Sequence, residues 1–343
     1  MEDMRKKIVI LYTGGTIGMV QGSKGYEPRQ NYFKQLLDSM PEAQVESMPK
    51  YEIKEYNPLL DSANMNYEQW NQIAEDIGSH YDDYDGFLIL HGTDTMAYTA
   101  SALSFMLEGL SKPVIMTGSQ IPLSQIRNDG RENLIVAMEL AQSSIIKEVC
   151  ICFGRKILRG CRSVKVSSNL LAPFDSPNFP LMGEVGIHIT IHDFALQDAS
   201  REKDKDLKIR KIKKQIILSV KIFPGIESSA LECMLNMEGL RAIIIEAYGI
   251  GNIHNKSKGL KEILKKATEK GILIIVTTQC LQGYVDIGLY EAGQLLVEAG
   301  AISAYDMTFE AIITKLYYLF SISEDMDEIK RFMQKNMRGE ITI

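Results

Sequence analysis

The sequence predicts an α/β protein of about two domains, with a mostly parallel sheet flanked by helices. Three observations predict it. Short, continuous apolar runs alternate with helical patterns, as expected of parallel strands joined by crossover helices and buried on both faces. At 343 residues the chain exceeds one ordinary domain of roughly 100–200 residues. Between Asp198 and Lys214 the composition turns almost wholly to Lys, Arg, Asp and Glu around a few isolated aliphatics. That stretch reads as a solvated connection, giving domains at 1–197 and 215–343 with the linker 198–214 between them.

Taken in order, Lys7–Tyr12 is an apolar, β-branched run that reads as a buried strand. It ends in Thr13-Gly14-Gly15-Thr16-Ile17-Gly18, where the glycines allow φ > 0 and a tight turn. Val20–Arg29 is polar, contains Gly22, Gly25 and Pro28, and predicts a mobile loop or short hairpin with Tyr26 as its only aromatic residue. Phe33, Leu36, Leu37 and Met40 follow helical spacing up to Pro41. Tyr51–Tyr56 predicts a short strand leading into a turn at Asn57-Pro58. Asn66 with Gln69 forms a capping-box pattern for a helix through Gly78.

The unit then repeats. Strands are predicted at Phe87–Leu90, Pro113–Met116 and Val149–Phe153, with helices at about Met96–Leu107 and Arg131–Gln142. Beyond the charged stretch come strands at Ile216–Ile222, Ala242–Ile245 and Ile272–Thr277, and helices at Ser228–Met237 and Lys258–Lys270. Two amphipathic helices are predicted between Met307 and Met337.

Composition narrows the function. A net charge of −6 disfavours a polyanionic partner such as nucleic acid. No apolar run approaches the roughly 20 residues that span a bilayer. The apolar run Ile8–Tyr12, though it follows three basic residues, is shorter than a secretory h-region. Five cysteines (Cys150, Cys152, Cys161, Cys233, Cys280), mostly in apolar surroundings, fit buried reduced thiols better than a disulfide framework, and the expected compartment is the cytoplasm.

The candidate chemistry lies at two strand ends. Thr13 and Thr16 sit in the glycine turn after the first strand, and His91-Gly92-Thr93-Asp94-Thr95 follows the strand Gly86–Leu90. Carboxyl ends of parallel strands lie together and are where open α/β sheets bind ligands. A threonine hydroxyl there is a candidate nucleophile if a base or electrostatic help is close. Helix capping or phosphate binding is the other reading of such residues. The dinucleotide fingerprint G-x-G-x-x-G is not met, because its first glycine is replaced by Thr13. Lys165, between Val164 and Val166, is either an edge-strand lysine or a base made available by desolvation. His91 is placed to bond to backbone. His188 and His192 share one face of a predicted strand but lack further ligands at metal spacing, so no metal site is expected.

Thr13-Gly14-Gly15-Thr16-Ile17-Gly18 and His91-Gly92-Thr93-Asp94-Thr95-Met96 closely resemble the two signatures of bacterial-type L-asparaginases, on the type I, cytoplasmic branch. Asp61-Ser62, Asp82–Gly86, Gly118-Ser119-Gln120-Ile121-Pro122, Tyr248–Asn252 and Asn336–Glu340 extend the resemblance over nearly the whole chain.

The resemblance implies a larger N-terminal and a smaller C-terminal α/β domain. It also implies hydrolysis of L-asparagine to L-aspartate and ammonia without metal or organic cofactor, in a homodimer or homotetramer. By position, Thr16 matches the nucleophile, and Tyr26 the tyrosine that a flexible loop carries over the substrate. Thr93, Asp94 and Lys165 match a second hydroxyl–acid–lysine group, while Asp61 and Ser62 match residues that hold the α-amino and α-carboxylate ends of the substrate.

Asn252 and Cys280 match a regulatory asparagine site of cooperative relatives. Glu246 and Val164 depart from their arginine and threonine, and an acid cannot replace a guanidinium in gripping a carboxylate. The rival readings are a glutaminase–asparaginase, the D subunit of a tRNA-dependent amidotransferase, which carries an additional N-terminal domain, and a non-catalytic amino-acid sensor.

Overall fold

In a computed structural model, which describes residues 5–23, 25–197, 206–254 and 259–342, the chain divides into two compact units on either side of Ile212 and Lys213. The strands of the first are β1 (Lys7–Gly14), β2 (Met19–Gly22), β3 (Gly25–Pro28), β4 (Lys50–Leu60), β5 (Gly86–Leu90), β6 (Leu107–Glu108) and β7 (Val114–Thr117). They continue with β8 (Val149–Phe153), β9 (Lys156–Arg159), β10 (Val164–Lys165), β11 (Phe174–Asp175), β12 (Gly183–Val185), β13 (Ile189–Ile191) and β14 (Lys208–Ile209). Its helices are α1 (Tyr32–Asp38), α2 (Tyr67–Ser79), α3 (Met96–Met106) and α4 (Gly130–Ala141).

Eight strands form one sheet in the order β13-β12-β9-β8-β7-β5-β1-β4. From β8 to β4 every pairing is parallel, whereas β9, β12 and β13 add an antiparallel edge. Alternation explains why the parallel strands read as unbroken apolar runs. Ile8, Ile10 and Tyr12 of β1 enter a core with Phe33 and Leu37 of α1 and Leu134 and Met138 of α4. Val9 and Leu11, which point the other way, are buried as well, so both faces of the sheet are covered.

α2 begins as the sequence predicts. The Asn66 side chain accepts from the Glu68 backbone, and the Gln69 side chain accepts from the Asn66 backbone at 3.0 Å. The polar segment after the glycine turn is a hairpin, with β2 and β3 antiparallel and Tyr26 opposite Gln21. Asn57-Pro58 is not a turn. It lies inside β4, an edge strand, where a missing N–H is tolerated, and its peptide bond is cis. His188 and His192 flank β13 rather than belonging to it.

The charged stretch also differs from expectation. Residues 198–205 lie outside the described residues. Of the remainder, β14 pairs antiparallel with β6, Ile212 is buried, and the Asn71 side chain bonds to both the N–H and the carbonyl of Ile212. These residues belong to the first unit, because isolated aliphatics among the charges give the chain something to bury.

The second unit is a four-stranded parallel sheet of β15 (Ile216–Lys221), β16 (Leu240–Ala247), β17 (Leu273–Thr278) and β18 (Ile302–Ser303), in that spatial order. Its helices are α5 (Ser228–Leu235), α6 (Leu260–Glu269), α7 (Glu291–Glu298), α8 (Phe309–Ile322) and α9 (Met326–Met333). Of the predicted helix from Lys258, that first residue lies outside the described residues. α9 is amphipathic as predicted, but α8 is buried along most of its length and carries Lys315 at 0% exposure. The Lys315 Nζ donates to the carbonyls of Met333 and Lys335 and to the equally buried carboxylate of Glu340. Glu340 also accepts from the backbone N–H groups of Met337 and Arg338, so this pair fixes the path of the chain after α9.

Candidate active site

The carboxyl ends of β1, β4 and β5 meet because glycines let their backbones touch. A Cβ built on Gly14 (φ +135°) would lie 2.3 Å from the Leu60 carbonyl oxygen at the end of β4. One on Gly15 (φ +89°) would lie 2.6 Å from the Gly92 nitrogen, and one on Gly92 would lie 2.4 Å from Ser62 Oγ. Only glycine serves at such contacts, and the φ values at Gly14 and Gly15 favour it independently. The β1–β4 register shifts between Tyr12 and Gly14, where β4 advances from Glu55 to Leu60 and carries the extra residues. Thr16 and Thr93, each one residue beyond these touching glycines, are therefore delivered to the same crevice.

The two threonines of the first turn then separate in role. Thr13 is buried and donates to the Leu90 carbonyl at 2.8 Å, so its hydroxyl ties β1 to β5. Thr16 opens a short 3-10 turn, Thr16–Gly18, which is held in place by Leu123 N–H donating to the Ile17 carbonyl. Its side chain is half-buried, and its hydroxyl has no hydrogen-bond partner among the described residues.

The second strand end carries the charged group. Lys165 Nζ donates to Thr93 Oγ1 at 2.9 Å and to Asp94 Oδ1 at 2.7 Å. The lysine is delivered by β10, which pairs antiparallel with β11 in a two-stranded sheet, so it stands on an edge strand. Its side chain is 19% exposed, whereas that of Asp94 is 64% exposed and turned toward solvent. The sequence predicts Thr93, Asp94 and Lys165 together, and the structure joins them.

Asp61 and Ser62 lie at the end of β4. Ser62 is buried against Gly92, and its carbonyl accepts from the Thr95 hydroxyl at 2.6 Å, which locks the two turns together. Asp61 is exposed and accepts from Ala63 N–H and the Asn64 side chain, leaving a carboxylate at the surface of the crevice. Tyr26 is 47% exposed on its hairpin, and its hydroxyl makes no hydrogen bond among the described residues. The structure does not join it to the lysine group.

His91 is a structural residue. The Gly92 carbonyl can only accept, so His91 Nδ1 carries the ring proton and donates to it at 2.7 Å. Nε2 of the neutral ring then accepts from Thr99 Oγ1 at 2.9 Å, and Thr99 Oγ1 accepts from Trp70 Nε1–H at 3.1 Å. Burial holds the imidazole down to about 4, so it is neutral near pH 7 and has no free nitrogen to act as a base.

Sequence reasoning missed Gln120 as a site residue, although it noted the polar strand exit Gly118-Ser119-Gln120. Gln120 Oε1 accepts from Thr93 Oγ1 at 3.1 Å. Its backbone N–H and that of Ile121 both donate to the Asp129 carboxylate, which also accepts from Asn133 Nδ2. A polar residue third from a strand end was the only local signal.

In the second unit, Asn252 pairs back onto Tyr248 just beyond β16, and Cys280, just beyond β17, is exposed. Glu246, near the end of β16, is half-buried. Cys233 is exposed too, while Cys150, Cys152 and Cys161 are buried and all five thiols are free. Among the described residues no cluster of His, Cys, Asp and Glu is able to hold a metal, and no helix is long and apolar enough to cross a membrane.

Residues 7–196 match the family model described as Asparaginase, N-terminal, and residues 217–333 match that of the Glutaminase/Asparaginase C-terminal domain. The chain is 45% identical to L-asparaginase 1 of Escherichia coli (strain K12) over 98% of each protein. It superposes on the crystal structure of L-asparaginase I from Vibrio cholerae with a TM-score of 0.91 at 43% identity, covering 99% of this chain and 100% of that one. A thermostable L-asparaginase from Thermococcus kodakarensis matches with a TM-score of 0.87 at 32% identity, over 98% and 99% of the two chains. Two family domains in order, high identity over the full length of a relative and the shared fold place the chain in the asparaginase family, on its bacterial type I branch.

Proposed function

We propose that the chain hydrolyses the side-chain amide of L-asparagine, giving L-aspartate and ammonia through an acyl-enzyme on Thr16, without metal or organic cofactor. The observation that carries this is the Lys165 Nζ bonded to both Thr93 and Asp94 at the end of β5, with Thr16 at the end of the adjacent parallel strand β1 and its hydroxyl without a hydrogen-bond partner among the described residues. A binding module needs no such arrangement, whereas a nucleophile followed by a water-activating hydroxyl–lysine pair needs both parts.

In the first step the Thr16 oxygen bonds to the amide carbon, the C–N bond breaks, and the hydroxyl proton leaves with the nitrogen as ammonia. In the second, water attacks the β-aspartyl ester. That water is held by a hydrogen bond to Thr93 Oγ1, which also accepts from Lys165 Nζ, and as the ester C–O bond breaks a water proton passes to the Thr16 oxygen and restores its hydroxyl. Backbone N–H groups at the Gly92 turn stabilise the oxyanion. The Asp61 and Asp94 carboxylates pair with the substrate ammonium, Ser62 donates to its carboxylate, and Tyr26 closes over it from the β2–β3 hairpin.

The working protein is a cytoplasmic homodimer or homotetramer with no nucleic-acid partner. With Glu246 in place of an arginine, Asn252 and Cys280 do not support the asparagine response of cooperative relatives. The test is ammonia release from L-asparagine and L-glutamine by wild type and Thr16→Ala over a wide concentration range. Asparagine turnover that is lost in the variant, with a hyperbolic curve, is expected. The glutamine arm measures a discrimination set by one methylene, worth about 1–3 kcal/mol. No release from either amide would overturn the proposal in favour of a sensor or an amidotransferase subunit.

A further inference from the structure

We infer that Gln120 is a positioning residue that sets the direction of the Thr93 hydroxyl proton; the inference rests on the proposed asparagine hydrolysis. The Gln120 side chain is oriented by a carbonyl group that can only accept. Its Nε2 donates to the Leu170 carbonyl at 3.1 Å, which leaves Oε1 facing Thr93. An amide oxygen only accepts as well, so the 3.1 Å bond to Thr93 Oγ1 is donated by the hydroxyl. The Thr93 oxygen then has two lone pairs, of which one receives Lys165 Nζ–H at 2.9 Å. The other is left for a proton of the attacking water.

Gln120 thus keeps Thr93 from turning its proton toward Asp94 or the substrate, and holds the acceptor face of the hydroxyl toward Lys165 and the crevice. The charged groups around this bond are Lys165 and Asp94, then Asp129 behind the Gln120 backbone, and Asp175 on β11, which is engaged by Lys156. Lys165 only donates, Asp129 is bonded to the Gln120 and Ile121 backbone, and Asp175 is engaged by Lys156, which leaves Asp94 as the acceptor that competes with Gln120 for the Thr93 proton. Two anchors keep Gln120 in position. Asp129 clamps its backbone from the start of α4, and Leu170 holds the far end of its side chain.

The test compares Gln120→Met, which keeps length and removes both bonds, with Gln120→Glu, which keeps an acceptor oxygen beside Thr93. A positioning role through Thr93 predicts that Gln120→Met lowers kcat for asparagine about tenfold, the effect of losing one hydrogen bond of ordinary strength, with KM within about twofold. Gln120→Glu is expected to recover most of that loss. Wild-type kcat in a folded Gln120→Met, or equal losses of kcat in both variants, would overturn the inference. If Gln120→Met does not fold, Gln120→Glu with its kcat reduced tenfold or more overturns it as well. A wild-type protein that releases no ammonia contradicts the underlying function instead, so the two failures are told apart by the control.

Discussion

Gly15 and Gly92 touch backbone to backbone, and a Cβ on Gly15 would lie 2.6 Å from the Gly92 nitrogen. That contact is what brings the two signature turns of the sequence into one site, and it admits no side chain. Gly15→Ala is expected to combine strain at φ +89° with a steric clash against backbone that cannot yield. The expected outcome is a fall in stability of about 1–3 kcal/mol or more and near-complete loss of activity, measured by thermal melting and ammonia release. A melting temperature within a degree of wild type would show that the two turns are free to separate.

His91 makes part of the stability pH-dependent. Its folded value lies near 4 and its unfolded value near 6.5. Between these limits the unfolded chain binds the extra proton, so stability conferred by the buried neutral ring is present above about pH 6.5 and is lost as pH falls toward 4. The full effect is about 3 kcal/mol. Thr99→Val, which removes the hydroxyl that accepts from Trp70 Nε1–H and donates to His91 Nε2, is expected to cost a further ~1–3 kcal/mol at pH 7. Denaturant titrations at several pH values check both.

Glu310 acts with the opposite sign in the second unit. Burial raises its carboxyl from 4.5 to about 7, and its Oε2 has no partner among the described residues. Here the folded state holds the extra proton, so stability is present below about pH 4.5 and declines as pH rises through 7. Glu310→Gln is therefore expected to raise the melting temperature at pH 8 and to leave it nearly unchanged at pH 5. An equal effect at both pH values would exclude the titration.

Lys315→Met tests the buried pair that organises the end of the chain. Removing the ammonium leaves the Glu340 carboxylate uncompensated at 0% exposure, which costs about 3–5 kcal/mol. Lys315→Met with Glu340→Leu removes both charges and is expected to recover much of that loss. Melting curves for the two variants separate charge burial from simple loss of packing.

Most of the fold was legible because the signals were local. The apolar runs of β1, β5, β7 and β8 and the capping box of Asn66 and Gln69 each determine their own element. The antiparallel edge was legible only in part: the strand read at His188–His192 contains β13, whereas β9 and β12, of four and three residues, carry too little periodicity. The Lys208–Ile209 strand was hidden in a charged stretch because its pairing is with Leu107–Glu108, about a hundred residues away. In the site, Thr16, Thr93, Asp94 and Lys165 stood out by motif. Gln120 did not, because its role depends on which way an amide faces, and that is set by Leu170 and Asp129 in space. The burial of Lys315 was similarly invisible, since its partner Glu340 lies 25 residues further along.

The most direct measurement of the central claim is to quench wild type, Thr16→Ala and Thr93→Ala during reaction with L-asparagine and to locate any ester by intact mass and peptide mapping. A β-aspartyl ester on Thr16 that accumulates in Thr93→Ala and is absent from Thr16→Ala is the predicted result. An ester formed without Thr16, on Thr93 or elsewhere, would contradict the assignment of the nucleophile.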